Sequence, residues 1–289
     1  MSNFDLKPTE MLGATINSGI AKANTGFTKL IILGILAGAF IGFAAQGSNM
    51  AAFNLLLKPE TFGLGKALAG AIFGTGLMLV IIGGGELFTG NVLMLTSLAD
   101  KRIKVWSMLR NWIIVYVSNF VGSIIIVLLI YYSNQLSGGE NMLGALTLKV
   151  AANKIHLTFI SAVCLGILCN WLVCMAVWMA CGTKSSAGKI LCIFFPIWLF
   201  ITSGFEHSVA NMYYIPIGIL AKSNEAIVRA SELPAQMIDS LTWSSFLFKN
   251  LLPVTIGNVI GGGVFVAMAY FLAFKQQAVK KYLAELENQ

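Results

Sequence analysis

Six stretches of this chain, roughly residues 30–47, 67–97, 111–133, 157–181, 190–217 and 250–274, are long, apolar and almost free of charge. A helix needs about 20 mostly apolar residues to cross a bilayer. Lipid cannot satisfy backbone N–H and C=O groups, so segments of this kind must be helical. The composition agrees, since only 11% of the 289 residues are charged and the mean hydropathy is +0.80, whereas soluble domains carry about 25% charged residues. The expectation is an all-α integral membrane protein with six transmembrane helices. Residues 1–28 are polar and include Asp5 and Glu10, which does not read as a cleaved leader.

The net charge of +7 is unevenly placed. Lys101, Arg102, Lys104 and Arg110 crowd the second loop, Lys184 and Lys189 the fourth, and Lys275, Lys280 and Lys281 follow the last span. The first, third and fifth loops mix signs. Basic loops stay cytoplasmic, so both termini are expected on the cytoplasmic side of the membrane. The surplus charge orients the chain in the bilayer and requires no nucleic acid. Cys164, Cys169, Cys174, Cys181 and Cys192 lie in or beside spans, are odd in number and form no CxxC pair. They suggest neither a disulfide framework nor a zinc site, and no cofactor or metal is expected.

The chain reads as written twice. GELFTGN (85–91) and GFEHSVAN (204–211) share Glu-x4-Asn, setting Glu86 and Asn91 against Glu206 and Asn211. RNWIIVYVSNFVGS (110–123) aligns without gaps to KNLLPVTIGNVIGG (249–262), so Asn111 meets Asn250 and Asn119 meets Asn258. More weakly, GILAG (34–38) matches GILCN (166–170), with Asn170 in place of Gly38. Three matches in one order divide the protein into halves of three spans, about 29–133 and 154–275. Three is odd, so the halves enter the membrane from opposite sides as an inverted repeat, which in transporters sets the binding site near the midplane. Glycines precede both shared glutamates, and spans 2 and 5 are read as broken helices. The second half-helices would then aim positive dipole ends at the centre, which favours an anion. Gly34, Gly38 and Gly42 form a small-residue packing ridge. Leu12, Ile16 and Ile20 mark residues 1–28 as a cytoplasmic segment with an amphipathic helix, either a surface anchor or a gate under the pore. Residues 29–275 form the channel domain, and 276–289 a cytoplasmic tail.

Ionisable groups inside a bilayer are costly and mark pathways. His207 has no counterpart in the first half and is the residue expected to line a pore. Glu86 and Glu206 are read as structural, each carboxylate accepting backbone N–H groups freed at its own break. Asn91 and Asn211 tie these loops down, and Asn119 and Asn258 bond between helices. Thr89 can donate to an anion or simply cap locally. Phe73, Leu77, Leu87, Phe88 and Phe200 surround the breaks and form either ordinary core or apolar constrictions.

At these residues the sequence resembles the formate/nitrite transporter family, its formate channels most closely. The resemblance is carried by GGELFTGN (84–91), AVCLGILCNWLVCMAVWM (162–179), ITSGFEHSVANMYYIPIGI (201–219), LLPVTIGNVIGGG (251–263) and the entry segment FDLKPTEML. It implies a homopentamer of aquaporin-like protomers, each with its own pore for small monovalent anions. The family's central histidine falls on His207, its threonine on Thr89, a pore-facing polar residue on Asn170 and an outer-mouth lysine on Lys154. The apolar rings fall on Phe73, Leu77 and Phe200, with Leu87, Phe88 and Val173. Transport of formate, passive or coupled to protons, is the implied activity, with nitrite or hydrosulfide as alternatives within the family. A neutral-solute channel would carry paired Asn-Pro-Ala signals, and the corresponding stretches read TGN and VAN. An intramembrane enzyme is not expected: no span holds an aspartate, and Ser208 beside His207 lacks an orienting acid.

Overall fold

The structure is a computed structural model that describes residues 5–275. The expected tail 276–289, with Lys280 and Lys281, and residues 1–4 lie outside the described residues. Among the described residues five helices are long and apolar enough to cross a membrane. They are α2 (Phe27–Leu56), α3 (Phe62–Gly83), α5 (Val105–Tyr132), α7 (Phe159–Cys181) and α12 (Trp243–Lys275). The apolar stretch 67–97 is shared between α3 and a shorter helix, α4 (Phe88–Ala99), and the stretch 190–217 between α8 (Ser186–Thr202) and α9 (Ser208–Ala221). Before α2 comes α1 (Pro8–Ala23), and α6 (Met142–Ile155) occupies what the sequence reads as the third loop. Short helices α10 (Glu225–Ser231) and α11 (Ala235–Ser240) fill the fifth loop.

Two helix ends have a local cause. At Gly84 φ is +86° and at Gly204 it is +75°, values in the left-handed region that glycine enters at no steric cost. The chain therefore leaves α3 and α8 at these points. It runs extended at Leu87 and His207, then re-enters helix at Phe88 and Ser208.

Glycine also decides how closely the long helices approach. A side chain at Gly38 would collide with the Asn119 backbone and one at Gly122 with the Ile35 carbonyl, so α2 and α5 pack backbone to backbone. In the second half Gly257 meets the Val163 carbonyl and Gly261 the Ile167 carbonyl, which does the same for α7 and α12. Small residues at such crossings gain van der Waals contact where lipid supplies no hydrophobic drive. The ridge of Gly34, Gly38 and Gly42 faces α5 through Ser118, Asn119 and Ile126.

The N-terminal helix departs from its sequence reading. Its buried residues are Leu12, Thr15, Gly19 and Ala23, while Ile16 and Ile20 are only half-buried. The face chosen is set by contact with the protein: Gly19 packs against Ser97, whose Oγ donates to the Ile16 carbonyl at 2.8 Å. A small-residue face allows that approach where a leucine–isoleucine face would hold the helix away. In α12, π-helical turns at Phe246–Leu251 and Gly263–Met268 flank the α-helical segment Leu252–Gly262. Pro253, which offers no N–H, follows the first of them.

Replacing Gly122 or Gly261 by leucine should drive the helix pairs apart. The expected loss is about 3 kcal/mol, the upper end of overpacking because the obstacle is backbone. It would appear as a fall in the thermal unfolding midpoint of the detergent-solubilised protein. Gly13→Ala, where nothing lies within 4 Å of the added Cβ, should not lower the midpoint.

Candidate functional site

The backbone between α3 and α4, and between α8 and α9, lies inside the protein and must find partners there. Two asparagines supply them. From α5, Asn119 accepts from the Phe88 N–H at 2.9 Å and donates to the carbonyls of Glu86 (2.9 Å) and Gly34 (2.8 Å). From α12, Asn258 accepts from the Ser208 N–H at 2.8 Å and donates to Glu206 (2.9 Å) and Gly166 (2.8 Å). Two further amides pair with neighbouring helices, Glu86 N–H with the Leu33 carbonyl and Glu206 N–H with that of Leu165. An amide side chain is the one group that offers an acceptor and two donors in one plane.

The glutamates consequently do something other than the sequence suggests. Among the described residues their carboxylates take no backbone N–H, because the asparagines already hold the freed Phe88 and Ser208 amides. Glu86 instead accepts from Lys22 Nζ at 2.8 Å and from Asn91 Nδ2 at 2.7 Å. Glu206 accepts from Lys154 Nζ at 2.6 Å and Asn211 Nδ2 at 2.7 Å. Asn91 also reaches Asn111 (2.8 Å), whose amide donates to the Lys22 carbonyl. Asn211 reaches Asn250 (2.7 Å), whose amide donates to the Lys154 carbonyl. The lysine–glutamate, glutamate–asparagine, asparagine–asparagine and asparagine–carbonyl contacts of one clamp thus each have a counterpart in the other.

The lysines come from α1 and α6, elements outside the aligned repeat. Lys22 and Asn111 with Asn250 are the members of the clamps to which sequence reasoning gave no role. Two signals were present: the asparagines coincide in the alignment, and each lysine stands five residues before the first residue of an apolar helix, Phe27 or Phe159.

Between the shared glutamate and asparagine all four residues differ, Leu87-Phe88-Thr89-Gly90 against His207-Ser208-Val209-Ala210. His207 stands where the first clamp has Leu87, and Thr89 stands where the second has Val209. These two unmatched residues touch, with His207 Nε2 2.9 Å from Thr89 Oγ1. His207 Nδ1 accepts from the Ala210 N–H at 3.0 Å, capping α9. A backbone N–H can only donate, so Nδ1 carries no proton and the ring's proton is on Nε2, where it donates to Thr89 Oγ1. Thr89 keeps its own hydroxyl proton available. Asn170, from α7, donates to the carbonyls of Thr89 (3.2 Å) and Asn258 (2.7 Å). Its buried Oδ1 has no partner among the described residues.

A cavity of about 310 Å³ opens on the second clamp and is lined by Lys66, Lys154, Phe200, Glu206, His207 and Tyr214, among others. The first clamp adjoins only about 20 Å³, lined by Thr15, Gly19, Lys22, Gly90 and Cys181 among others. The α1 helix thus sits at that end. Phe73, Leu77, Leu87, Phe88, Val173 and Phe200 are all buried in one apolar cluster. The rings of Phe73 and Phe200 meet edge-on at 5.7 Å, and Phe200 lies 6.1 Å from the His207 ring. Phe88 is turned toward α5, against Trp112 and Tyr116.

The sequence profile of the formate/nitrite transporter family matches residues 9–272. The chain is 38% identical over 278 residues to the formate channel FocA of Escherichia coli strain K12, covering 95% of this chain and 96% of that protein. It is 38% identical over 273 residues to the formate channel BtFdhC of Bacillus thuringiensis, covering 94% and 96%. Among solved structures it resembles a pentameric formate channel with formate bound, with a TM-score of 0.79, 37% identity and coverage of 86% of this chain and 97% of that one.

Removing one partner of a buried ion pair strands the other. Lys154→Met should therefore cost about 3 kcal/mol of stability, read as a lowered unfolding midpoint. The double variant Lys154→Met/Glu206→Gln should recover most of it. Equal losses in the single and double variants would mean that the pair is not coupled.

Proposed function

We propose that this chain, which belongs to the formate/nitrite transporter family, conducts formate through a pore in each protomer of a homopentamer, with His207 and Thr89 at the pore's centre. The observation that carries this reading is the buried contact between His207 and Thr89, each of which stands opposite an apolar residue, Leu87 or Val209, in the other clamp. Relatives named as formate channels, and a pentameric channel with formate bound, supply the substrate and the assembly.

In this reading α3–α4 and α8–α9 are two crossings broken near the midplane, and residues 29–275 form an inverted three-plus-three repeat of aquaporin-like design. The matching contacts of Asn119 and Asn258 support it, and those of Lys22 and Lys154 extend it to α1 and α6. The protein lies in the bacterial cytoplasmic membrane with both termini inside, which makes the Lys154 end the outer mouth.

A bare carboxylate entering a dry medium faces an idealised cost of about 20 kcal/mol. Lys154 and the N-terminal dipoles of α4 and α9 draw the anion in and lower that cost. Phe73 and Phe200, with Leu77, form the apolar ring on the outer side. Leu87, Phe88 and Val173 line the inner side, and Asn170 holds the Thr89 backbone between them. Past the outer ring, His207 turns its Nε2–H from Thr89 to the anion, and Thr89 can add its hydroxyl proton. A neutral imidazole is a poor proton source because it would leave as imidazolate. Proton-coupled transport thus requires a second proton at Nδ1, which displaces the Ala210 N–H. Coupling and the helix cap therefore compete for one nitrogen.

Asparagine can cap a helix but cannot titrate. His207→Asn in proteoliposomes is accordingly expected to retain formate flux, measured by light scattering in isotonic ammonium formate, and to lose its dependence on pH. Unchanged flux with unchanged pH dependence would exclude the role given to His207. Vesicles that swell no faster than protein-free ones in formate, nitrite and hydrosulfide would exclude the channel.

A further inference from the structure

Three lysines line the 310 Å³ cavity, Lys66, Lys149 and Lys154. The last is engaged by Glu206, which leaves two positive charges uncompensated. Lys66, half-buried on α3, makes no hydrogen bond or ion pair among the described residues and only overlies the Phe62 ring at 5.6 Å. Its Nζ comes within 3.7 Å of where a side chain on Gly204 would begin, so its charge stands over the backbone bend that leads into Glu206 and His207.

Asn49, from α2, lines the same cavity and is 4% exposed. Neither end of its amide bonds to the protein among the described residues, and its buried Nδ2 has no acceptor. Unpartnered buried amides are rare and call for an explanation. The neighbouring Ser48 hydroxyl is already committed to the Ala69 carbonyl at 2.8 Å. Glu206, the cavity's own acid, is occupied by Lys154, Asn211 and Asn250.

We propose that Lys66 and Asn49 form a second anion site in this cavity, distinct from the His207–Thr89 pair and selective for small anions with two oxygen acceptors. The proposal rests on reading the cavity as the outer antechamber of the channel. A lysine ammonium and a carboxamide NH2 are two different donors, which suits a carboxylate or nitrite that can present one oxygen to each. A spherical anion also accepts hydrogen bonds, but offers both donors the same single atom. The volume corresponds to roughly ten waters at liquid density, enough for a hydrated anion to lodge there. An anion held at this site is concentrated beside the apolar ring before it is stripped of water.

The test combines binding with transport on the full chain. Binding is read from the broadening of the 13C-formate resonance by detergent-solubilised protein, and flux from proteoliposomes. Lys66→Met and Asn49→Asp are each expected to weaken formate binding about tenfold, the loss of one charge-assisted hydrogen bond. Lys66→Arg should bind within about twofold of the unaltered chain, since it keeps the charge and donors. Nitrite should displace formate, whereas chloride at equal ionic strength should not. Binding unaffected by both Lys66→Met and Asn49→Asp, or displaced equally by chloride, would overturn the site even where flux is normal. Lys66-dependent binding in a chain that conducts no anion would uphold the site and overturn the channel reading alone.

Discussion

Backbone that leaves a helix inside a membrane protein has nowhere to turn but to side chains. Here the burden falls on Asn119 and Asn258, each of which serves one freed N–H and two carbonyls. An orphaned buried donor or acceptor costs about 1–3 kcal/mol, and each asparagine holds three such groups. That sum is comparable to the 5–15 kcal/mol by which whole domains are stable. Aspartate could accept but not donate, and leucine could do neither.

The asparagines reach these groups only because their helices touch. Gly38 and Gly122 bring α2 against α5, and Gly257 and Gly261 bring α7 against α12. At that distance Asn119 spans from the Gly34 carbonyl to the gap beyond α3, and Asn258 does the same from Gly166. The lysine–glutamate pairs then fasten the clamps to α1 and α6. Among the positions where the two clamps are unlike, two place polar groups in contact. Leucine against histidine and valine against threonine put one ring nitrogen and one hydroxyl into an apolar surround.

Much of this was legible in the sequence. Apolar length located the helices, and glycines before Glu86 and Glu206 located the exits from α3 and α8. Glu86 and Asn91, like Glu206 and Asn211, recur together as Glu-x4-Asn and hydrogen-bond to each other, a contact that the recurrence did not itself specify. The carboxylates' principal partners were misjudged because they are distant lysines, 64 and 52 residues away. The face of α1 was only partly foreseen. A hydrophobic stripe shows which side of a helix avoids water, and Leu12 of that stripe is buried, but the seat of Gly19 against Ser97 and Met94 is a matter of size. Size complementarity does not appear in a pattern of polarity.

By itself, then, the sequence determined the solvent in which this protein folds, the rough places of its long helices, the two points where glycine releases the chain and the family resemblance that suggests formate. Each of these is read along the chain, from residues that follow one another in sequence. Tertiary structure alone decided that Lys22 belongs to Glu86, that Asn119 and Asn258 take the freed amides, and that Lys66 and Asn49 share a cavity. Each helix residue turns the side chain by about 100°, so the partner of a buried polar group depends on the rotation and depth of two packed helices. Both are fixed only when the glycine faces meet.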